Sequence, residues 1–277
     1  MEASTSPTSL LSARRAAPGA PRIPWLGRLR RALDEDLFAL HFQPIVSLPD
    51  RELSHREALL RLADQPGGAL VAPARFLPAA ERWGLIRELD RMVLDKVSRL
   101  VGAGAGSIAV NLSAVSVVDP AMLTTLERTL SRHCADPCQL VVEVTETAAI
   151  TDMERACAFC AGARSLGCEV ALDDFGTGFG SFHYLKHLPF TQLKIDGEFV
   201  RGLMSSRTDQ LIVRALVAVV RGMGRRTVAE FVGDEPTLAL LESYGVDYAQ
   251  GFALGEPGPL SAAAGTAGAS PRPTYGR

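Results

Sequence analysis

The sequence predicts an α/β protein folded as a (β/α)8 barrel. From about residue 107 onward, short apolar runs alternate with helical patterns, and this alternation is typical of parallel strands joined by crossover helices. The stretch between the two ends of biased composition is about 230 residues long, a common size for such a barrel. Most of the apolar runs carry or end in a polar residue. A doubly wound parallel sheet is the alternative that these three observations leave open.

The two ends of the chain are predicted to be disordered tails. Residues 1–25 are rich in Ala, Ser, Pro and Arg, and residues 259–277 in Ala, Gly, Ser and Pro. Neither segment has apolar periodicity, so both lack the side chains that a core requires. Residues 26–258 are therefore predicted to form one domain. Its first element is a short amphipathic helix at 26–35.

The first part of this domain begins with two strand-like runs, at 40–48 and 52–62. Helices are predicted at 73–84 and 85–101, because apolar residues recur there at spacings of three and four. Residues 107–112 have the pattern of the next strand.

Helix-start signals mark the middle of the chain. Asp119 followed by Pro120 predicts the start of a helix. The buried face of this helix is expected to carry Met122, Leu123, Leu126 and Leu130. A strand is predicted at 139–144, and Thr151 with Glu154 forms a capping-box pattern for the following helix.

The alternation continues to the end of the domain. Strands are predicted at 168–172, 192–195, 227–229 and 246–248. Helices are predicted at 207–222 and 235–243. The buried face of the longer helix is expected to carry Leu211, Ile212, Ala215, Leu216 and Val219.

Two adjacent carboxylates, Asp173 and Asp174, follow the apolar strand at 168–172. Neighbouring strand residues point to opposite faces, so both can serve one site only if the chain turns there. Gly176, Gly178 and Gly180 would permit that turn. The carboxylates repel one another, and divalent cations would relieve the repulsion. A strand-to-helix turn with solvated aspartates is the alternative.

Polar residues recur in or just after seven of the predicted strands. They are Glu57, Asn111, Glu143, Asp173, Lys194, Glu230 and Gln250. In a barrel the carboxyl ends of the strands meet at one mouth, where active sites lie. Carboxylate and amide oxygens suit Mg²⁺ or Mn²⁺, whereas the five histidines match no zinc motif. Taken singly, Glu57 could be a rim salt bridge and Lys194 a surface lysine.

Composition excludes several classes of function. The net charge of −2 excludes a general nucleic-acid binder. No uncharged apolar run approaches the roughly 20 residues of a membrane helix, and the first residues lack the apolar core of a signal peptide. A cytoplasmic protein that binds neither membranes nor nucleic acid is expected.

Several short motifs occur in a fixed order along the chain. They are FQPIV at 42–46, EALLR at 57–61, VNLS at 110–113, EVTET at 143–147, DDFGTG at 173–178, KID at 194–196, VAE at 228–230 and QG at 250–251. From about residue 29 to 258 the chain resembles the EAL domain, a family of bacterial phosphodiesterases that hydrolyse cyclic di-GMP. The resemblance implies a modified barrel whose first strand is antiparallel to the others.

The resemblance also implies roles for individual residues. Two ions, Mg²⁺ or Mn²⁺, are expected on the ligand set Glu57, Asn111, Glu143, Asp173, Asp174 and Glu230. The implied catalytic residues are Lys194, Glu57, Glu230 and Glu146. Lys194 would orient the attacking water, and Glu146 would steady the loop after the two aspartates. The residues expected to bind the substrate are Gln43, Arg61 and Gln250.

The implied reaction is hydrolysis of cyclic di-GMP to linear pGpG. The alternatives are a catalytically silent EAL domain that binds cyclic di-GMP or a protein partner, and an unrelated metal-dependent barrel enzyme. A homodimer and a regulatory protein partner are further expectations. One position departs from the family: relatives commonly carry a glutamate three residues after Glu230, where this chain has Gly233. This departure predicts an active enzyme with weakened metal affinity.

Overall fold

The computed structural model describes residues 25–175 and 181–260. The strands are β1 (Phe38–Ser47), β2 (Leu53–Ala63), β3 (Leu70–Val71), β4 (Ile108–Leu112), β5 (Leu140–Thr145), β6 (Glu169–Phe175), β7 (Gln192–Ile195), β8 (Arg226–Ala229) and β9 (Tyr248–Gln250). The first helices are α1 (Trp25–Asp34), α2 (Leu77–Arg82), α3 (Ile86–Gly102), α4 (Ala114–Val117), α5 (Pro120–His133) and α6 (Glu146–Thr151). The remaining helices are α7 (Met153–Ser165), α8 (Ser181–His187), α9 (Gly197–Arg201), α10 (Arg207–Gly222) and α11 (Glu235–Tyr244).

The strands close into a barrel, which confirms the predicted fold class and excludes the doubly wound alternative. Seven strands pair in parallel in the order β2, β4, β5, β6, β7, β8 and β9. Strand β1 closes the ring between β9 and β2 and is antiparallel to both. The short strand β3 adds to the end of β2 at Leu62 and Ala63.

The main core lies between the outer face of the barrel and the helices. Alternate residues of the strands, such as Val142, Val144, Leu172 and Leu193, pack there and are almost completely buried. Inside the barrel, small side chains leave room for polar ones. The small residues form a separate cluster of Ala109, Val141 and Ala171.

Helix starts follow the predicted signals in one case and shift in another. Helix α5 begins as predicted, with the Asp119 carboxylate accepting a hydrogen bond from the Ala121 N–H at 3.0 Å. The predicted capping box at Thr151 is wrong. Asp152 caps α7 through the Arg155 N–H at 3.1 Å, because Thr151 is the last residue of α6, a helix that the sequence pattern did not reveal.

The predicted buried face of α10 is also wrong, although its bounds are confirmed. Leu211 is 56% exposed and Val219 is 39% exposed. The residues that pack on the barrel are Val213, Leu216, Val217 and Val220. Apolar residues cover most of the circumference of this helix, so periodicity alone could not select the face that is buried.

A second, smaller core covers the beginning of β1. It includes Leu29 from α1, Phe38 from β1, Phe76 just before α2, and Leu89 from α3. The predicted helix at 73–84 is interrupted: Pro73–Arg75 is a 3₁₀ turn and α2 starts only at Leu77.

The boundaries of the predicted tails shift slightly. Trp25 begins α1 and packs against the smaller core, and Leu260 packs against the main core. The rest of both tails lies outside the described residues. Within residues 25–175 and 181–260, no helix has both the length and the apolar character needed to cross a membrane.

Candidate active site

A layer of hydrogen-bonded polar side chains crosses the barrel beneath the predicted site. The Arg226 guanidinium donates to Glu169 Oε2 at 2.6 Å and to the Tyr248 hydroxyl at 3.1 Å. Gln192 Nε2 also donates to Glu169. These four residues begin or lie near the start of β6, β7, β8 and β9, so they seal the end of the barrel opposite the mouth.

Lys194 lies at the centre of the predicted site, two residues after Gln192 on β7. Its Nζ is 2.8 Å from Glu143 Oε2 and 2.8 Å from Glu230 Oε1. The same atom is 3.1 Å from Asp173 Oδ1 and 3.6 Å from Glu57 Oε2. Lys194 is only 1% exposed, so its interpretation as a surface lysine is wrong. Four strands therefore bring their carboxylates to one ammonium group.

Glu57 is held on both oxygens by amide donors. Asn111 Nδ2 donates to Oε1 at 2.6 Å, and Gln250 Nε2 donates to Oε2 at 2.6 Å. Gln250 also donates to Gln43 Oε1 at 3.1 Å. The antiparallel strand β1 places Gln43 directly opposite Glu57, so the unusual first strand adds a side chain to the site.

The turn between Asp173 and Asp174 occurs within β6. Asp174 has a φ of +55°, a left-handed conformation that aspartate tolerates better than most residues. The pairing of β6 with β7 shifts register between Leu172 and Phe175. Asp174 itself therefore makes the change of direction that was assigned to the following glycines, which lie outside the described residues.

Burial and mutual repulsion perturb the pKa values of these carboxyl groups. Burial, assisted by Asp173, raises the pKa of Glu230 to about 8 and that of Asp174 to about 6. Burial and the charge of Glu57 raise the pKa of Glu143 well above its ordinary value. Strong pKa shifts within one cleft are a mark of functional sites.

For Glu57 and Lys194, attraction to neighbouring groups shifts the pKa further than burial does. Burial alone would raise the pKa of Glu57, but Lys194 and the amides of Gln250 and Asn111 hold it below its ordinary value. Burial would likewise lower the pKa of Lys194, but the surrounding carboxylates raise it well above the ordinary value. Both groups are therefore charged at neutral pH.

The residues at the mouth fit a divalent cation. Asp173, Asp174 and Glu230 each offer an oxygen, and these atoms lie within 4.8 Å of one another. In the described part of the chain, no other group of three carboxylate, histidine or cysteine side chains converges in this way. An all-oxygen donor set suits Mg²⁺ or Mn²⁺ better than zinc.

A cavity of about 550 Å³ opens above these groups. Gln43, Glu57, Lys194 and Gln250 line its polar side. Leu59, Arg201, Phe231, Phe252 and Pro257 also line it. The volume lies within the usual range of small-molecule sites.

Phe231 lines the cavity but was not predicted as a site residue. Arg201 and Gly197 both lie against its ring. The Phe231 backbone has a φ of +54°, and the residue is 53% exposed. The Arg201 guanidinium lies 4.0 Å from the centre of the ring. A Cβ at Gly197 would come within 2.3 Å of the ring, so only glycine leaves room for it. Helix α9, which carries both Gly197 and Arg201, is too short for periodicity to reveal.

Four predicted site residues do not line the cavity: Asn111, Glu143, Arg61 and Glu146. Asn111 and Glu143 still reach the site, through their hydrogen bonds with Glu57 and Lys194. Arg61 is half-buried and donates to the Leu60 carbonyl at 2.9 Å. Glu146 is buried at the start of α6. The loop that Glu146 is predicted to steady lies outside the described residues. The roles of Arg61 as a substrate contact and of Glu146 as a support for that loop therefore stay predictions.

Fold and site together define a barrel with an acidic, oxygen-lined mouth suited to divalent cations. The chain belongs to the EAL domain family, whose family model matches residues 26–257. The bifunctional diguanylate cyclase/cyclic di-GMP phosphodiesterase MucR of Pseudomonas aeruginosa is 38% identical over 83% of this chain and 34% of its own length. The cyclic di-GMP phosphodiesterase PdeB of Shewanella oneidensis is 37% identical over 86% of this chain and 28% of its own length.

Solved structures agree with this assignment. The PaMucR phosphodiesterase in its c-di-GMP complex superimposes with a TM-score of 0.80 at 37% identity, covering 86% of this chain and 98% of that one. The FimX EAL domain from Pseudomonas aeruginosa bound to c-di-GMP has a TM-score of 0.80 at 33% identity, covering 85% and 96%. The chain spans about a third of the length of the curated relatives it matches.

Proposed function

We propose that this chain is a metal-dependent phosphodiesterase that hydrolyses cyclic di-GMP to linear pGpG. The observation that carries the proposal is the convergence of Asp173, Asp174 and Glu230 beside Lys194 on the floor of a cavity. Membership of the EAL domain family supports the choice of substrate, because several relatives are named cyclic di-GMP phosphodiesterases.

Two divalent cations, Mg²⁺ or Mn²⁺, would be held by the residues of the mouth. Glu57, Asn111, Glu143 and Asp173 would hold one, and Asp173, Asp174 and Glu230 the other. Such ions, when bound, lower the pKa of the attacking water and neutralise charge on the phosphodiester oxygens. The oxygen-only donor set and the 4.8 Å convergence support this assignment.

The chain's own residues position the reactants. The Lys194 ammonium donates hydrogen bonds to the attacking water, and the neighbouring carboxylates fix the direction of its Nζ. The water oxygen forms a bond to phosphorus, the bond from phosphorus to the ribose O3′ breaks, and the proton from water ends on that O3′. Opening one of the two diester linkages of the ring gives the linear product.

Amide and aromatic groups would orient the substrate. Gln43 and Gln250 present amides at the polar side of the cavity, and their mutual hydrogen bond limits their rotation. Phe231, Phe252 and Arg201 offer flat surfaces in the same cavity, and aromatic rings and guanidinium planes stack on nucleobases. Arg61 remains a predicted substrate contact near the rim.

Incubation of the purified protein with cyclic di-GMP, followed by chromatographic separation of the products, tests the proposal. We expect pGpG to form with Mg²⁺ or Mn²⁺ and not with excess chelator. Ca²⁺ should inhibit, because it is larger and accepts looser coordination. Hydrolysis that persists in excess chelator would refute the metal mechanism. Binding of cyclic di-GMP without turnover would instead identify the silent receptor.

The assembly and location of the protein remain predictions from the sequence. These are a homodimer, a regulatory protein partner and a cytoplasmic location. Sedimentation analysis of the purified chain at several concentrations would test the homodimer, and a single monomeric species throughout would contradict it.

A further inference from the structure

We propose that Lys194 is an internal counter-ion whose ammonium group competes with divalent cations for the carboxylates of the site. Its presence lowers cation affinity and stabilises the barrel before any cation binds. The proposal rests on the proposed function only for the expectation that cations bind at this mouth. It adds an energetic role to the orientation of water.

The first argument is that the ammonium and a cation need the same groups. Lys194 Nζ contacts Asp173 Oδ1 at 3.1 Å and Glu230 Oε1 at 2.8 Å. Both residues belong to the three whose oxygens converge within 4.8 Å. A cation bound there would lie within a few ångströms of a positive charge, and like charges at such distances repel strongly in a buried site.

The second argument is that Lys194 cannot move away from the site. Its strand, β7, pairs with β6 on one side and with β8 on the other, and Lys194 lies opposite Val228. The side chain is fully buried and has the sealed layer of Arg226 and Glu169 behind it. A cation must therefore share the site with the ammonium instead of displacing it into water.

The third argument is the charge of the site. Five carboxyl groups face the mouth or its floor: Glu57, Glu143, Asp173, Asp174 and Glu230. Cation binding requires their ionised forms. Lys194 then supplies the positive charge that contacts four of them, Glu57, Glu143, Asp173 and Glu230. Glu143 Oε1 is buried and accepts no hydrogen bond from the described residues, so this oxygen remains available to a cation.

Replacing the ammonium by an uncharged side chain of similar length should therefore have two opposite effects. Without cations, the carboxylates lose their shared partner and the barrel becomes less stable. With cations, the repulsion is absent and binding becomes tighter. A lysine that only fills space or only orients water would not produce this pair of changes.

The test compares wild type, Lys194→Met and Lys96→Met by calorimetric titration with Mn²⁺ and by thermal melting, without substrate. Lys96 is the matched control, because it pairs with Asp36 and donates to the Phe38 carbonyl outside the cavity. We expect Lys194→Met to bind Mn²⁺ at least about tenfold more tightly, which is about 1.4 kcal/mol. Its melting temperature should fall in chelator and rise more on adding Mn²⁺. Lys96→Met should leave Mn²⁺ affinity unchanged.

Equal or weaker Mn²⁺ binding by Lys194→Met would overturn the proposal. If that variant folds only with Mn²⁺, it is prepared in Mn²⁺ and the ion is withdrawn by a competing chelator; loss of the ion at wild-type or lower chelator concentration is then the overturning result. Failure of both proteins to bind Mn²⁺ also overturns it. Tighter Mn²⁺ binding by Lys194→Met, with no hydrolysis of cyclic di-GMP by wild type, would refute the proposed function alone.

Discussion

Gly233→Glu introduces the carboxylate that the resemblance to EAL domains predicts at this position, and it should strengthen metal binding. Gly233 lines the cavity three residues after Glu230. A Cβ built at this position meets no heavy atom within 4 Å, and its backbone is not in the left-handed region. The new side chain can therefore enter the cavity without strain.

The expected magnitude follows from the charge already present. The mouth holds five carboxyl groups against the Lys194 ammonium, and a sixth would add attraction for a divalent ion. Groups that support metal ligands without binding the metal directly typically contribute about 10–100-fold in metal affinity or activity. We expect the half-saturating Mn²⁺ concentration to fall by about tenfold or more.

The assay is a titration of the initial hydrolysis rate with Mn²⁺ and, separately, with Mg²⁺. Gly233→Gln is the matched control, because it has the same length without the charge and should leave the half-saturating concentration unchanged. An unchanged or higher value for Gly233→Glu would refute the reasoning and leave Gly233 as a loop variation. An equal fall in both variants would mean that side-chain volume, not charge, is responsible.

Four further variants test other parts of the structure. Glu57→Ala removes a predicted ligand and should lower both metal affinity and turnover, whereas Lys194→Ala should lower turnover by about 10²-fold or more without weakening metal binding; wild-type turnover in Lys194→Ala would contradict its role. Arg226→Met removes the cation from the sealed layer and should lower the free energy of unfolding by about 1–3 kcal/mol, measured by denaturant titration, while an unchanged stability would mean that the layer contributes nothing. Deleting residues 1–24 and 261–277 should leave the melting temperature within a few degrees, and a large fall would mean that a tail packs on the barrel.

The barrel was predictable because each of the eight strands that close the ring has its own signal in the sequence, whereas the short strand β3 has none. Alternation of apolar runs with helices predicts the parallel part, and the polar residues at strand ends indicate the mouth. The closure by β1 was not derivable from these patterns, because antiparallel pairing with both β2 and β9 depends on contacts between distant parts of the chain. The resemblance to the EAL domain supplied this feature.

The candidate site was predictable in composition but not in geometry. Lys194 and its carboxylates all stood out as polar residues in apolar strands, yet the burial of the lysine depends on four strands meeting. The left-handed backbone of Asp174 has no sequence signal beyond the tolerance of aspartate for it. Phe231 and Arg201 meet through α9, whose five residues are fewer than two helical turns.

Side chains two residues apart on a strand point to the same face, and this spacing explains why the charged site is closed at the end of the barrel opposite the mouth. Gln192 and Lys194 are two residues apart on β7, and Tyr248 and Gln250 are two apart on β9, so each pair points to the same interior. The first member of each pair joins the sealed layer around Arg226, and the second reaches the site. Among the described residues, this layer separates the carboxylates from the far end of the barrel and leaves the mouth as their approach for water and ions. The charge of the site must then be balanced by Lys194 from within or by cations entering beside Phe231 and Gly233.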